Sequence, residues 1–230
     1  MNHLPTLYVA TGNAHKLTEI NALLGADVRC VSMQSLGELP ELIEDEDTFE
    51  GNALAKATQL AEWMMAQGVG EAPWMTLADD SGLEVDALGG QPGVKSARYA
   101  SDETGSAGNA PDEANNAKVL RLMQGVPAQE RTARFRCSLA LYQPPVPGQS
   151  ARSWRFDGTC EGILRDALVG EHGFGYDPMF QPEGHDQTFG ELGAAIKDQI
   201  SHRSRALQLL RQFLQTFDPA TDPGPAKPSA

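Results

Sequence analysis

The chain has 230 residues, 40% of them hydrophobic and 21% charged, and a formal net charge of -13 at pH 7. This length and apolar content can bury one large core or two small ones, whereas the negative charge argues against a protein that coats nucleic acid, because such binding depends on Lys and Arg. The sequence shows neither an apolar run long enough to cross a bilayer nor a cleavable signal, so we expect a cytoplasmic protein without a nucleic-acid or membrane partner.

The first predicted elements are a strand, a turn and a helix. TLYVATGN, residues 6 to 13, is an apolar run that ends in a glycine turn, and residues 14 to 25 place Leu and Ile at helical spacing. The turn reads T-G-N-x-x-K from Thr11 to Lys16. A glycine turn before a helix lets a phosphate approach backbone N–H groups, and Lys16 adds a positive charge. The same pattern is typical of an ordinary helix start, so it does not identify a phosphate site alone.

The next elements bring two adjacent carboxylates into an apolar context. DVRCV, residues 27 to 31, predicts a second strand, and after an acidic loop the apolar spacing predicts a helix that ends before Gly68. Its apolar face consists of Ala53, Ala57, Leu60, Ala61 and Met64. MTLAD then predicts a short buried strand that delivers Asp79 and Asp80 to its carboxyl end. Adjacent carboxylates repel each other and resist burial, so a bound cation is the first candidate for their partner.

The second half of the chain predicts a loop, a helix, two long strands and a final helix. Residues 96 to 111 are rich in Gly, Ser, Asp and Asn and predict a loop, and residues 112 to 125 predict a helix. Residues 131 to 143 and 151 to 165 are β-like runs joined by a Pro-rich connection, which predicts a hairpin. Residues 198 to 217 carry apolar side chains at helical spacing and predict one final helix.

This order of elements predicts a single α/β domain over residues 1–217. Strands alternate with helices, and the hairpin makes the sheet mixed rather than purely parallel. Ligands in such folds bind at the carboxyl ends of the strands. Residues 218–230 contain four prolines and few large apolar groups, which predicts a disordered tail.

Deleting residues 219–230 is therefore expected to leave activity and thermal stability essentially unchanged, because the segment has little apolar surface to bury. Thermal melts of the truncated and full-length chains test this expectation. A large decrease in melting temperature would mean that the segment is docked.

Two further motifs present groups that suit a flat, polar ligand. GFGYDP, residues 173 to 178, places aromatic rings between glycines, where a heterocycle could stack, although a core turn would use the same residues. KDQISHR, residues 197 to 203, gathers hydrogen-bond donors at a helix start, although it also suits an exposed first turn. Carboxylates without paired His or Cys favour Mg²⁺ or Mn²⁺ over zinc.

Together the motifs closely resemble one enzyme family. T-G-N-x-x-K, T-F-x-x-N-A, ADDSGLEVDALGGQPGVKSARY at residues 78 to 99, G-F-G-Y-D-P-x-F and K-x-x-I-S-H-R occur in this order between residues 8 and 206. This set resembles the house-cleaning inosine triphosphate pyrophosphatases, which hydrolyse dITP, ITP and XTP to the nucleoside monophosphate and pyrophosphate. The central block is long and specific.

The resemblance implies a fold, a cofactor and a set of site residues. The fold is an elongated mixed sheet with flanking helices that form two lobes around a central substrate cleft, in a homodimer that uses Mg²⁺, with Mn²⁺ as a substitute. Asp80 is implied as general base and metal ligand, and Glu44, or Asp45 in its place, as the second ligand. The implied substrate contacts are Thr11, Gly12, Asn13, Ala14, His15, Lys16, Ser81, Phe174, Gly175, Tyr176, Asp177, Lys197, His202 and Arg203.

The sequence departs from the family pattern at three places. Gly51 stands where the family often has Glu, with Glu50 one position earlier; the acidic stretch IEDEDTF is less regular than E-x-G-x-T-F; and the loop at residues 101 to 114 is longer than usual.

Two other functions are compatible with a nucleotide site. The first is that of the related pyrophosphatases for thymidine, uridine or modified nucleotides, whose S-x-S-P-R-R motif is replaced here by TGNAHK. The second is a catalytically silent nucleotide-binding module, against which the presence of Asp80, Lys16 and Lys197 argues. Pyrophosphate release from dITP, XTP, dATP and dGTP separates these alternatives.

Overall fold

A six-stranded sheet runs through the part of the chain that the structure describes. The structure is a computed structural model and describes residues 4–25, 27–39, 41–71 and 73–218. The strand order is β2-β1-β3-β4-β5-β6. The strands are β1 Thr6–Val9, β2 Cys30–Ser32, β3 Trp74–Val85, β4 Thr132–Gln143, β5 Arg152–Leu164 and β6 Phe180–Pro182. β1 pairs in parallel with β2 and β3, and β5 pairs with β6 in antiparallel orientation, so the predicted mixed α/β fold is confirmed.

Seven α-helices accompany the sheet within the described residues. They are α1 Ala14–Leu24, α2 Phe49–Gln67, α3 Ser101–Thr104, α4 Asp112–Leu122, α5 Phe189–Leu192, α6 Ala194–Ile200 and α7 His202–Thr216. The predicted α2 face is buried throughout. Thr48 caps the start of α2 by accepting a hydrogen bond from the Gly51 N–H, and Gly68 ends it in a left-handed conformation. No helix in these described ranges has the length and apolar character needed to span a membrane.

The chain divides into two compact units. The first comprises the described residues within Met1–Asp80, Ser138–Asp157 and Ala206–Ala230, and the second comprises Ser81–Cys137 and Gly158–Arg205. The core of the first unit contains Tyr8, Ala10, Ala53, Ala57, Leu60, Met64, Ala78 and Ala140. The core of the second contains Leu83, Val85, Tyr99, Val119, Met123, Ala133, Phe135, Cys160, Leu164, Tyr176, Met179, Phe180 and Phe189. Asp218 is the only residue of the predicted tail that lies within the described residues.

The strand that carries the two aspartates is longer than the sequence predicts. β3 continues to Val85, so Asp79 and Asp80 lie inside the strand and not at its carboxyl end. Successive side chains of a strand point to opposite faces, and each aspartate meets a different lysine, Lys16 or Lys56, which makes these mid-strand positions tolerable. Local residue preferences do not reveal such distant partners.

Two other predicted elements differ from the structure. The predicted final helix is broken at Ser201, whose backbone is extended with ψ 160° and whose hydroxyl accepts a hydrogen bond from the Ser204 N–H, so it caps α7. The predicted loop at 96–111 contains α3 and overlaps a 3-10 helix, Gly93–Arg98. The two long strands and the connection between them agree with prediction to within one residue.

Arg131 ties three backbone segments of the second unit together. Its guanidinium donates hydrogen bonds to the carbonyl oxygens of Leu164 at 2.8 Å, Met123 at 2.9 Å and Arg165 at 2.9 Å. The residue is buried. These bonds satisfy carbonyls at the end of β5 and just beyond α4, where backbone groups lack regular partners.

Arg131→Met is expected to reduce the free energy of unfolding by about 3 kcal/mol, because it leaves several buried carbonyls without their donor. Arg136→Met, in the strand that follows Arg131, is the control: the Arg136 side chain is 44% exposed and lies 3.9 Å from Glu84, so a change within about 0.5 kcal/mol is expected. Urea unfolding measures both. Equal effects would contradict a special role for Arg131.

Candidate active site

The turn before α1 is built by Asn13. Its side-chain oxygen accepts hydrogen bonds from the N–H groups of His15 at 2.9 Å and Lys16 at 3.2 Å, and its own N–H donates to the Thr11 hydroxyl at 3.1 Å. Gly12 is exposed, and an added Cβ there would meet no described atom within 4 Å. The turn therefore offers an open surface at a helix N-terminus, where an anion is stabilised.

Lys16 connects this turn with β3. Its ammonium lies 2.6 Å from the Asp79 carboxylate and 3.4 Å from the Asp79 carbonyl oxygen. The Asp79 side chain is fully buried, whereas that of Lys16 is 14% exposed. Asp79 thus holds the lysine beside the turn.

Asp80 belongs to a buried cluster with two residues of α2. The Lys56 ammonium lies 3.2 Å from Asp80 Oδ1, and the Asn52 side-chain amide donates to Asp80 Oδ2 at 3.1 Å. Asn52 and Lys56 are one helical turn apart and therefore lie on the same face of α2. Asn52 also accepts a hydrogen bond from the Glu46 N–H at 3.0 Å, so it fixes the acidic loop beside the cluster.

Glu44 completes the cluster from the acidic loop. Its carboxylate lies 2.9 Å from the Lys56 ammonium, which also contacts Asp80. The two carboxylates predicted as metal ligands therefore contact the same Lys56 ammonium. Asp45, the predicted alternative to Glu44, is exposed. Proteins usually bind Mg²⁺ through one or two carboxylates, and water and phosphate oxygens complete the coordination. The residues present fit a divalent cation.

Burial and neighbouring charges shift the pKa values of Asp80 and Lys56 in this cluster. Burial raises the pKa of Asp80 above its ordinary value, although Lys56 and Lys16 oppose the shift. Burial opposes the charge on Lys56, yet its pKa is raised because Asp80, Glu44 and Asp79 surround it. The ammonium therefore remains charged between carboxylates, and the Asp80 carboxylate is more basic than an exposed one.

A second group of predicted site residues lies in the second unit. The buried Asp177 carboxylate accepts hydrogen bonds from the Phe174 N–H at 2.9 Å and from the Lys197 ammonium at 2.6 Å. The ammonium lies 4.5 Å from the centroid of the Phe174 ring, and the Arg203 guanidinium lies 5.7 Å from it. Phe174 is therefore a half-buried ring beside two cations.

Arg203 and His202 are held at the start of α7. Arg203 is 1% exposed and donates a hydrogen bond to the Ser81 hydroxyl at 2.7 Å. The His202 ring stacks on Phe135, with ring centroids 4.7 Å apart and an interplanar angle of 14°. Because the backbone of Ser201 is extended, α7 begins at His202, and His202 and Arg203 lie in its first turn. In an uninterrupted helix these two residues would lie in the middle of the helix.

Tyr176 has a different environment from Phe174. Its ring belongs to the core of the second unit, and its hydroxyl donates to the Ser96 carbonyl oxygen at 2.8 Å. Burial raises the pKa of this hydroxyl. Packing accounts for Tyr176, so its predicted contact with substrate stays a prediction, as do the other substrate contacts.

Sequence reasoning assigns no role to Lys56 or Asn52. Asn52 falls within the T-F-x-x-N-A motif, and Lys56 follows it at a spacing of four residues. That spacing on a predicted helix places both polar side chains among the buried alanines of one face, which was the available signal.

Comparisons with known proteins agree on one family. The Ham1 family model matches residues 7–213. The dITP/XTP pyrophosphatase of Shouchella clausii is 43% identical over 209 residues, covering 91% of this chain and 96% of the relative. The dITP/XTP pyrophosphatase of Geobacter sulfurreducens is 44% identical over 209 residues, covering 90% of this chain and 96% of the relative.

Solved structures give the same result. The Staphylococcus aureus Ham1 protein has a TM-score of 0.74 and 34% identity, with 91% of this chain and 98% of that chain covered. A HAM1 protein from Coxiella burnetii has a TM-score of 0.74 and 32% identity, with 93% and 100% covered. The resemblance inferred from the sequence motifs is confirmed, and the chain belongs to the Ham1 family.

Proposed function

We propose that this protein hydrolyses the non-standard purine nucleoside triphosphates dITP, ITP and XTP to the nucleoside monophosphate and pyrophosphate. The observation that carries the proposal is the buried Asp80 carboxylate, which Lys56 and Asn52 hold beside Glu44. The names of the relatives, dITP/XTP pyrophosphatase, support the same reaction. The proposal includes a homodimer, which rests on the family resemblance, and a cytoplasmic location, which stays a prediction from the sequence.

Asp80 acts as the general base in this proposal. Burial raises its pKa above the ordinary value, which strengthens it as a base. Asn52 and Lys56 fix both carboxylate oxygens, so the carboxylate keeps one orientation towards the water that attacks the α-phosphorus. A Mg²⁺ ion held by Glu44 and Asp80, with Mn²⁺ as a substitute, would supply charge neutralisation and Lewis-acid activation.

The remaining site residues bind the two ends of the nucleotide. Lys16 and the turn from Thr11 offset the negative charge of the leaving pyrophosphate. Phe174 offers a ring face to the purine, and Lys197, His202 and Arg203 offer hydrogen-bond donors to its edge. The donors select the base, because a ring face alone does not distinguish one purine from another.

Pyrophosphate release from dITP, XTP, dATP, dGTP, TTP and UTP, measured with MgCl₂ and with a chelator, tests the proposal. Rapid release from dITP and XTP, slow release from dATP and dGTP, and loss of activity in the chelator are expected. Preferential release from TTP or UTP would favour the related pyrophosphatases of thymidine and uridine nucleotides. Nucleotide binding without pyrophosphate release would favour a silent binding module.

Lys56→Met is expected to make folding stability depend on a divalent cation. In a chelator the variant should lose about 3 kcal/mol of unfolding free energy, because the buried carboxylates lose the Lys56 charge. MgCl₂ should then raise its melting temperature more than it raises that of the wild type, since bound metal replaces this charge. Thermal melts with and without MgCl₂ measure the difference.

Lys118→Met is the matched control, because Lys118 also contacts two carboxylates, those of Asp102 at 2.7 Å and Glu103 at 3.4 Å. Those carboxylates are exposed, so a smaller loss of stability and no added response to MgCl₂ are expected. The same MgCl₂ response in the wild type and both variants would contradict a metal site at Glu44 and Asp80.

A further inference from the structure

Helix α4 holds the backbone of the loop that carries Phe174. Asp112 accepts a hydrogen bond from the Gly175 N–H at 2.6 Å, and the Asn116 side-chain amide donates to the Gly175 carbonyl oxygen at 2.9 Å. The two side chains are four residues apart and so lie on one face of α4. Both polar groups of one glycine are thus bound by a helix that is 59 residues or more away in sequence.

Gly175 is the point at which this loop needs an external support. Its φ is 61°, in the left-handed region that glycine adopts without strain. The Phe174 N–H is held by Asp177 on one side of the ring residue, and the Tyr176 hydroxyl is held by the Ser96 carbonyl on the other. The contacts from α4 fix the peptide between them, and therefore the direction of the Phe174 side chain.

The burial of Asn116 is not explained by packing. The residue is 4% exposed, and among the described residues its side-chain oxygen has no hydrogen-bond partner. A buried polar group with an unsatisfied atom is less favourable than an apolar residue of similar volume. The bond to Gly175 is the one contact that a leucine at this position could not make.

We propose that Asp112 and Asn116 are positioning residues for the purine site, which act through Gly175 to fix the Phe174 ring and do not touch the substrate. This inference rests on the proposed function, because it takes Phe174 as the surface that binds the base. A ring whose direction is fixed before binding loses less conformational freedom when the purine stacks on it. The α4 contacts should therefore contribute to substrate affinity and not to the chemical step.

Steady-state kinetics with dITP separate these two effects. Asp112→Ala and Asn116→Asp are each expected to raise KM by about tenfold, while kcat changes by less than about twofold, because only binding of the base is weakened. In Asn116→Asp the donor is lost at almost constant volume. Asp112→Asn should retain near-normal KM, since the amide oxygen still accepts the Gly175 N–H.

Glu113→Ala is the matched control. Asp112 and Glu113 are both acidic residues in the first turn of α4, where either carboxylate favours the helix. Thermal melts of Asp112→Ala, Asp112→Asn and Glu113→Ala should differ little from the wild type, whereas Asn116→Asp places a carboxylate at a buried position and should melt lower. Equal changes in KM for Asp112→Ala and Glu113→Ala, or a loss of kcat at unchanged KM, would overturn the positioning role.

Binding of the product IMP by calorimetry provides a readout that does not need turnover. About tenfold weaker binding in Asp112→Ala, with unchanged binding in Glu113→Ala, is the expected result. Wild-type protein that binds IMP but hydrolyses no purine triphosphate would refute the proposed reaction and leave this comparison valid. Equal IMP affinity in the wild type, Asp112→Ala and Asn116→Asp would refute the positioning role alone, and wild-type protein that does not bind IMP would refute it together with the base site.

Discussion

Replacing Asp80 by asparagine is expected to reduce pyrophosphate release from dITP by about 10²-fold or more, because an amide neither takes a proton from water nor neutralises a cation. The structure adds a second reason. Asp80 accepts hydrogen bonds at both carboxylate oxygens, from Asn52 and from Lys56. An asparagine side chain has one acceptor and one donor group, so its NH₂ would face one of these donors and its orientation would change. Initial rates at saturating dITP and MgCl₂ measure the loss.

The same variant should remain folded, and in metal-free buffer at pH 7 two opposing effects should leave its melting temperature close to that of the wild type. Burial raises the pKa of Asp80 in the folded state above its unfolded value. Ionisation of this carboxyl therefore costs stability as the pH rises from the unfolded to the folded pKa, and the full cost is present above both. A neutral asparagine avoids that cost, but it also removes one carboxylate partner from the buried Lys56 ammonium. A melt by circular dichroism, run beside the activity assay, separates lost chemistry from lost structure.

Asp79→Asn provides the comparison for this result. Asp79 contacts Lys16 at 2.6 Å and is the neighbour of Asp80 on the other face of β3. Because its role is to hold Lys16, its replacement should reduce turnover less than replacement of Asp80. Near-normal turnover in Asp80→Asn, or a larger loss in Asp79→Asn, would contradict the assignment of Asp80 as the base.

The sequence predicts elements whose signals are local. The start of α1 follows from Asn13, whose side chain caps the helix, and the end of α2 follows from Gly68, which adopts the left-handed conformation. The buried face of α2 follows from the periodicity of its alanines and leucine. Each of these features depends on residues within one or two turns of the chain, which is the range that sequence patterns cover.

Features set by distant contacts are not predicted. β3 continues through Asp79 and Asp80 because Lys16 and Lys56 pair with their carboxylates. These lysines lie 63 and 24 residues away in sequence, so a local pattern does not reveal them. Its course past Gly82 depends on the close approach of another segment: an added Cβ would lie 2.5 Å from the Gly93 carbonyl oxygen. The length of this strand is therefore fixed by tertiary contacts that hydrophobic periodicity does not contain.

The candidate site shows the same division. The motifs identify Lys16, Glu44 and Asp80, and the structure brings Glu44 and Asp80 to one lysine. The role of Lys56 was not predicted because a lysine on a helix is ordinarily exposed, and only the carboxylates around it make its burial favourable. Tyr176 shows that a motif does not separate packing from binding, because its ring belongs to the core of the second unit while its contact with substrate stays a prediction.

Arg203 is the residue on which we expect base selectivity to depend most strongly. Inosine and xanthosine carry a carbonyl at C6, whereas adenosine carries an amino group there. A buried donor can therefore hydrogen-bond to the first two bases but is left unpaired by adenine. Sites built on buried hydrogen bonds reject a mismatched group by about 10⁴-fold. The Arg203 guanidinium is buried, lies beside the Phe174 ring and donates to the Ser81 hydroxyl, which holds it in one direction.

Arg203→Ala is accordingly expected to lower kcat/KM for dITP and XTP much more than for dATP, which compresses the preference between them. Arg203→Met keeps most of the buried volume without the donors, so a similar loss of preference in both variants would exclude a cavity as the cause. Phe174→Ala is the contrasting control and should weaken all purine substrates by comparable factors, because a ring face stacks on any purine. Equal losses of dITP and dATP hydrolysis in Arg203→Met would instead make Arg203 a phosphate-binding or structural residue, and the donors that read C6 would then have to be Lys197 or His202.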